Sequence, residues 1–268
     1  MVFRHTNMTL IYLPDIRLNA RLTGPKQGPV LVFAHALGTD LTIWDGVLAH
    51  LPDYLCLTYD QRGHGASDCP APPYAMGALI HDLERLIDHF ALTEVVVIGV
   101  SLGGRVAQGL AVKRLDLVRG LVLSNTAARI GTQQMWHDRI AQIRAQGLAA
   151  YADGAMQRIL GPGFRANPHY AALHDLLTRT RPDGWTGCAA AIAGSDFYTT
   201  TAALRLPTLA IAGAKDGTTP PDLVRETADL IPGHRFALMR KAGHLPMVER
   251  PAEYAALLQD FLHQIGHG

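Results

Sequence analysis

The chain is poor in the features that mark several functional classes. Only three cysteines, Cys56, Cys69 and Cys188, occur in 268 residues, an odd and scattered set. That argues against a disulfide framework and makes a reducing cytoplasm the default location. No charge of one sign predominates: 24 Lys+Arg stand against 23 Asp+Glu, leaving no basic stripe for nucleic acid and no charged tail. The opening Met1-Val2-Phe3-Arg4-His5 lacks the apolar stretch of an export leader. Apolar runs such as 95–104 fall well short of the roughly 20 residues that span a bilayer, so no membrane partner is expected. Neither His-Glu-x-x-His nor Cys-x-x-Cys occurs, so no metal is expected. Internal repeats and low-complexity stretches are also missing, and no feature sets an oligomeric state.

What is present is a rhythm of short apolar runs and amphipathic segments. Runs at 30–34, 54–59, 95–100, 121–124, 208–212 and 235–239 are mostly continuous rather than alternating, which favours strands buried on both faces of a parallel sheet. Between them lie helical stripes: Leu79, Ile80, Leu83, Leu86, Ile87 and Phe90, then Tyr254, Leu257, Leu258, Phe261, Leu262 and Ile265. Their alternation predicts right-handed βαβ crossovers in an open α/β sheet. The N-terminal segments 8–13 and 16–22, around Pro14-Asp15, read as an antiparallel pair. The rhythm stops at 129–201, where helical pieces at 135–145, 148–160 and 170–179 are punctuated by Gly161-Pro162-Gly163 and Arg181-Pro182-Asp183-Gly184. The expected organisation is a core of 1–128 and 202–268 with a helical cap, 129–201, inserted over the strand ends, where an α/β enzyme shapes its pocket.

The chemistry concentrates in Gly99-Val100-Ser101-Leu102-Gly103-Gly104, between a strand-like run and a helix-like one. Strand, Gly-x-Ser-x-Gly, helix is the pattern of a nucleophile elbow. A Cβ at Gly99 or Gly103 would collide with the adjoining strand or helix, and the turn would present Ser101 at a helix N-terminus, where a developing anion is favoured. A serine hydroxyl needs a base, and the base an orienting acid. Asp216 follows the 208–212 run and His244 follows the 235–239 run, in the order serine, acid, histidine. Taken singly, each residue is commonplace in a turn, a cap or a loop; three in order, each at a strand end, are not.

An oxyanion needs donors. One is the N–H of Leu102; the other belongs to the loop His35-Ala36-Leu37-Gly38, assigned to Leu37 with Ala36 as the alternative. His35 is expected to brace that loop. Asp60 and Arg62, in the turn at 60–67, are expected to tie loops together, and His64, His81, His89 and His137 show no partner pattern.

These residues resemble the α/β-hydrolase superfamily along the whole chain: a mostly parallel sheet flanked by helices with an inserted cap. Three narrower strings resemble the 3-oxoadipate enol-lactonase branch: His35-Ala36-Leu37-Gly38-Thr39-Asp40-Leu41 with Trp44, Ser124-Asn125-Thr126-Ala127-Ala128-Arg129-Ile130-Gly131-Thr132, and Gly184-Trp185-Thr186-Gly187-Cys188-Ala189-Ala190. The chain departs from that branch at Ala36, where serine is common, at Leu102, where methionine is, at Arg105, usually apolar, and at Trp185, usually tyrosine. The resemblance implies a serine hydrolase without metal or organic cofactor and without the decarboxylase domain fused to some members. Its implied substrate is a small anionic enol-lactone. A free carboxylate on that lactone calls for a cation; Arg129 at the core–cap junction is the first candidate and Arg105 the second. The 124–132 string, running into the cap, is expected to help form the pocket, with Trp136 and Met135 as an apolar wall. Rival readings on the same scaffold are a carboxylesterase, a carbon–carbon hydrolase and a cofactor-free perhydrolase; a rival of another class is a ligand receptor that keeps the triad.

Overall fold

In the computed structural model, which describes residues 9–268, runs of β-branched and aliphatic residues form one eight-stranded sheet. In chain order the strands are β1 (Thr9–Tyr12), β2 (Arg17–Thr23), β3 (Val30–Ala34), β4 (Leu55–Tyr59), β5 (Val95–Val100), β6 (Val118–Ser124), β7 (Thr208–Gly213) and β8 (Arg235–Met239). Their spatial order is β1-β2-β4-β3-β5-β6-β7-β8. The pairs β1/β2 and β2/β4 are antiparallel, and every pair from β4 to β8 is parallel. The expected N-terminal hairpin is therefore present; Met8 and the 1–5 segment lie outside the described residues. Strands β4, β5 and β7 are buried along their whole length, as their unbroken apolar runs require, whereas β8 closes the sheet as a half-buried edge.

The helices are α1 (Asp45–Leu48), α2 (Met76–His89), α3 (Leu102–Lys113), α4 (Gln133–Ile159), α5 (His169–Arg179), α6 (Pro182–Ala193), α7 (Tyr198–Ala202), α8 (Pro221–Asp229), α9 (Pro246–Glu249) and α10 (Pro251–Gln264). The apolar stripe read at 79–90 is the buried face of α2, and the C-terminal stripe is that of α10. Helices α4 to α7 all fall between β6 and β7, so the segment that broke the strand rhythm is indeed helical. Helix α4 bends at Gly147, whose φ of 77° lies in the left-handed region, and this separates the two helical pieces expected there. One expectation needs correction. Arg181-Pro182-Asp183-Gly184 is not simply a break: Arg181 is extended, but Pro182 opens α6, where a missing N–H costs nothing.

The helical insert is tied to the core at several places. Gly63 and Gly184 meet backbone to backbone; a Cβ on Gly184 would stand 2.0 Å from the Gly63 carbonyl oxygen. Arg181 donates to the carbonyl oxygens of His64, Gly65 and Ser67. Arg105, fully buried on α3, donates to the carbonyls of Ala127, Ala128 and Ser195 and to the Ser195 hydroxyl, and its guanidinium lies 4.6 Å from the Phe197 ring centroid. Burial pulls its pKa down to about 10, which still leaves it charged at neutral pH. Among the described residues no helix is long and apolar enough to cross a membrane.

Gly184→Ala is expected to lower the unfolding free energy by about 1–3 kcal/mol, because the Gly63 backbone cannot yield as a side chain could. Urea unfolding measures it. Helix propensity alone would make the same change stabilising, so a raised midpoint contradicts the docking contact.

Candidate active site

Ser101 ends β5 and begins α3 with φ 55° and ψ −116°, a conformation that side-chain-bearing residues rarely adopt. The glycines around it make that possible. A Cβ on Gly99 would lie 2.3 Å from the Gly103 carbonyl oxygen, and one on Gly103 would lie 2.1 Å from that of Ala34. Helix α3 thus packs directly on the end of β3, and the Gly103 N–H donates to the His35 carbonyl at 3.1 Å. The Ser101 carbonyl accepts from the Thr126 hydroxyl at 2.7 Å, and its N–H donates to the Ser124 carbonyl at 3.0 Å. The strained residue is held from both sides.

His244 donates from Nδ1 to Asp216 Oδ2 at 2.7 Å, and both are buried. The carboxylate also accepts from the Thr219 hydroxyl at 2.7 Å, the Asn125 amide at 2.8 Å and the backbone N–H groups of Thr218 and Thr219. Burial alone would raise the Asp216 carboxyl; the His244 ring and these donors outweigh it and hold it below the ordinary carboxylate range. Asp216 is therefore ionised at neutral pH and leaves the other ring nitrogen of His244 free. Ser101 and His244 line one cavity, with no direct hydrogen bond between them; such contacts commonly tighten only when substrate is bound.

The cavity measures about 60 Å³. Ala36, Leu37, Trp136 and Trp185 are among its walls. Among the described residues, the backbone N–H groups of Leu37 and Leu102 find no acceptor. They are available to an anion; Ala36, the alternative donor, lines the same cavity. The loop that carries Leu37 rests on two buried histidines. His35 accepts the Gln61 N–H at Nε2 and donates from Nδ1 to the Ala36 carbonyl, the bracing role expected of it. His64 accepts the Gly38 N–H at Nε2, 3.0 Å away, and donates to the Arg62 carbonyl. Burial, followed by the neighbouring His35, pushes His64 down to about 3, which keeps it neutral and able to accept.

Several expectations need correcting. Arg129 does not line the cavity: its side chain is 54 % exposed and pairs with Asp196 at 3.9 Å. Arg105 is spent on carbonyls of the core–insert junction. Residues 124–132 do not line the cavity either, because they turn inward as braces: Asn125 orients Asp216, Thr126 holds the Ser101 carbonyl, and Ala127 and Ala128 accept from Arg105. Trp136 is a wall residue, with its indole N–H on the Ile130 carbonyl, but Met135 is not. His64 has the partner that its sequence context did not reveal. Asp60 and Arg62 behave as expected: Asp60 accepts from Asn19, Leu41 and Ala66, and Arg62 pairs with Asp82.

The sequence reading also missed supports that come from far along the chain. The N–H of His244 donates to the Ile159 carbonyl at 2.6 Å, and that of Gly217 to the Arg158 carbonyl at 2.9 Å. The end of α4 therefore holds both the acid and the base loops. Glu249 accepts from Gly243 and Gly161 N–H groups, bridging the His244 loop to the insert. Two arginines, Arg139 and Arg158, line the cavity. Only for Arg139 was a signal available: it lies one helical turn beyond Trp136.

The sequence pattern of the alpha/beta hydrolase family matches residues 31–257. The chain belongs to that family. This hydrolase is 33 % identical over 244 residues to 3-oxoadipate enol-lactonase 2 of Acinetobacter baylyi, with 90 % of this chain and 91 % of that protein covered. Among solved structures it superposes on a hydrolase from Pseudomonas aeruginosa PA01 with TM-score 0.92 at 33 % identity, covering 97 % of this chain and 99 % of that one. The enol-lactonase from Burkholderia xenovorans LB400 superposes with the same TM-score at 30 % identity, covering 95 % and 100 %. The hydrolase thus resembles a 3-oxoadipate enol-lactonase in sequence and an enol-lactonase in fold.

The depressed His64 carries a sign. Unfolded, it would titrate near 6.5; folded, near 3. Between those values the unfolded chain binds the extra proton, so stability falls as pH is lowered through that window, by up to about 1.4 kcal/mol per pH unit. His64→Gln, which can still accept the Gly38 N–H, is expected to flatten the slope of urea-derived stability against pH between 6 and 4. An unchanged slope contradicts a buried neutral His64.

Proposed function

We propose that this hydrolase opens a small carboxylate-bearing enol-lactone, 3-oxoadipate enol-lactone, to 3-oxoadipate through an acyl-enzyme on Ser101, within the cytoplasmic catabolism of aromatic compounds. The observation that carries the proposal is the Asp216-bound His244 sharing one small cavity with a strained, helix-capping Ser101.

In this reading His244 takes the Ser101 proton as the serine oxygen attacks the lactone carbonyl. Asp216 holds the imidazole tautomer and stabilises the imidazolium. The Leu37 and Leu102 N–H groups bind the tetrahedral oxyanion. The ring then opens, and His244 returns the proton to the leaving enol oxygen. Because the lactone is cyclic, the leaving group stays attached within the acyl-enzyme. His244 next activates water, the ester to Ser101 is cleaved, and the enol ketonises, drawing the reaction forward. Side chains and backbone of this chain supply every step. Segment 129–201 acts as the cap that excludes solvent and sets the size of the site.

The likeness to enol-lactonases favours this substrate over long-chain esters. A lactone-and-ester panel that includes enzymatically generated 3-oxoadipate enol-lactone tests the proposal. That compound is expected to be consumed with a kcat/KM at least about a hundredfold above simple neutral esters; a preference for the neutral esters contradicts it. Ser101→Ala is expected to lower kcat by at least about a thousandfold with an unchanged circular dichroism spectrum. Full activity in that variant contradicts the serine mechanism.

A further inference from the structure

Two side chains in the cavity remain unexplained by the chemistry above. Arg139 and Arg158 both line it, at opposite parts of α4, and both are half-buried. Among the described residues neither guanidinium has an ion pair or a side-chain hydrogen bond. The cavity walls include no aspartate or glutamate. Two half-buried arginines thus face one cavity with no carboxylate paired to either.

Instead of carboxylates, aromatic rings hold these arginines. Arg139 lies 5.1 Å from the Trp136 ring centroid and Arg158 lies 5.2 Å from that of Tyr151. Trp185 packs against both rings, with centroids 6.3 Å from Trp136 and 5.4 Å from Tyr151. The three rings form one continuous wall with a guanidinium at each end. A cation–π contact holds a guanidinium near a ring face without using its N–H donors, which stay free for a carboxylate.

We infer that Arg139 and Arg158 form the carboxylate-reading subsite of this cavity, and that the hydrolase therefore selects short acyl compounds bearing a free carboxylate and is inhibited competitively by short dicarboxylic acids. The inference rests on the proposed hydrolytic site for its substrate, but its binding half stands independently of the chemistry. It replaces Arg129, which is exposed and paired elsewhere. It also gives the position of Trp185 a reason: packed against both Trp136 and Tyr151, it supports the two rings that the arginines contact. Arg158 has a second attachment, since its carbonyl accepts from Gly217, the residue after Asp216. An anion gripped there is read by the same residue that supports the acid loop.

The test compares 4-nitrophenyl acetate, which is neutral, with the mono-4-nitrophenyl ester of glutaric acid, which carries a carboxylate. The ratio of their kcat/KM values, anionic over neutral, is expected to fall at least about tenfold in Arg139→Met and in Arg158→Met. Most of that fall is expected in KM. The Arg→Lys variants, which keep the charge but not the fork, should lie between. Glutarate should inhibit the wild-type enzyme competitively, with its inhibition constant raised at least about tenfold in either Met variant. An unchanged ratio or an unchanged inhibition constant overturns the inference. Should the Met variants fail to fold, the wild-type protein decides. Its anionic-to-neutral ratio is expected to fall severalfold as ionic strength rises from about 0.05 M to about 0.5 M; a flat response overturns the inference. Calorimetric binding of glutarate to Ser101→Ala separates the two proposals. Binding there without hydrolysis by the wild type leaves this subsite standing while the proposed function fails; hydrolysis by the wild type without glutarate binding does the reverse.

Discussion

The contact on which the site depends is the approach of Gly103 to the end of β3. A side chain at that position would stand 2.1 Å from the Ala34 carbonyl oxygen, so only glycine lets α3 begin there. That one closeness sets two things together. It compels the turn that leaves Ser101 at φ 55°, and it brings the α3 N-terminus, with its free Leu102 N–H, beside the loop carrying Leu37. A strained serine and a free backbone donor beside the Leu37 loop are thus two outcomes of one packing constraint, with the strained residue held by its N–H on the Ser124 carbonyl and by the Thr126 hydroxyl on its own carbonyl.

The second dependency runs through the insert. Helix α4 delivers Trp136, Arg139, Tyr151 and Arg158 to the cavity, and its last carbonyls, from Arg158 and Ile159, receive the N–H groups of Gly217 and His244. Glu249 adds a bridge from the His244 loop to Gly161. The element that carries the proposed carboxylate subsite is therefore bonded directly to the loops that carry Asp216 and His244. Buried neutral histidines perform the matching task on the other side, where His64 holds the Gly38 amide and so fixes the Leu37 loop. Neither histidine belongs to the Ser101–His244–Asp216 set; both set its geometry.

Much of this was legible in the sequence, for a physical reason. Strands buried on both faces must be apolar along their whole length, so β4, β5 and β7 announce themselves, and Gly-x-Ser-x-Gly between such a strand and a helix reflects a backbone constraint that few arrangements share. Asp216 and His244 were candidates because each follows a strand in the required order, and the structure brings the two within hydrogen-bond distance. What escaped notice depends on contacts between distant segments. Nothing local to His64 reveals that it faces Gly38, and nothing local to Asn125 says that it will turn inward to Asp216. Arg129 looked like an anion anchor because of its place at the junction, yet it finds Asp196 at the surface, whereas Arg139 and Arg158, on either side of the Gly147 bend in α4, both reach the cavity. Pro182 read as a break because proline ends helices more visibly than it starts them.

The central claim is that Ser101 is a nucleophile activated by the Asp216–His244 pair. Labelling with an alkyl fluorophosphonate, followed by intact-mass measurement and peptide mapping, tests it most directly. The account predicts one adduct per chain, on Ser101, formed at least about a thousandfold more slowly in Asp216→Asn, whose altered hydrogen-bonding would misplace the imidazole tautomer. An adduct on another residue, or labelling of Ser101 at an undiminished rate in Asp216→Asn, would contradict it.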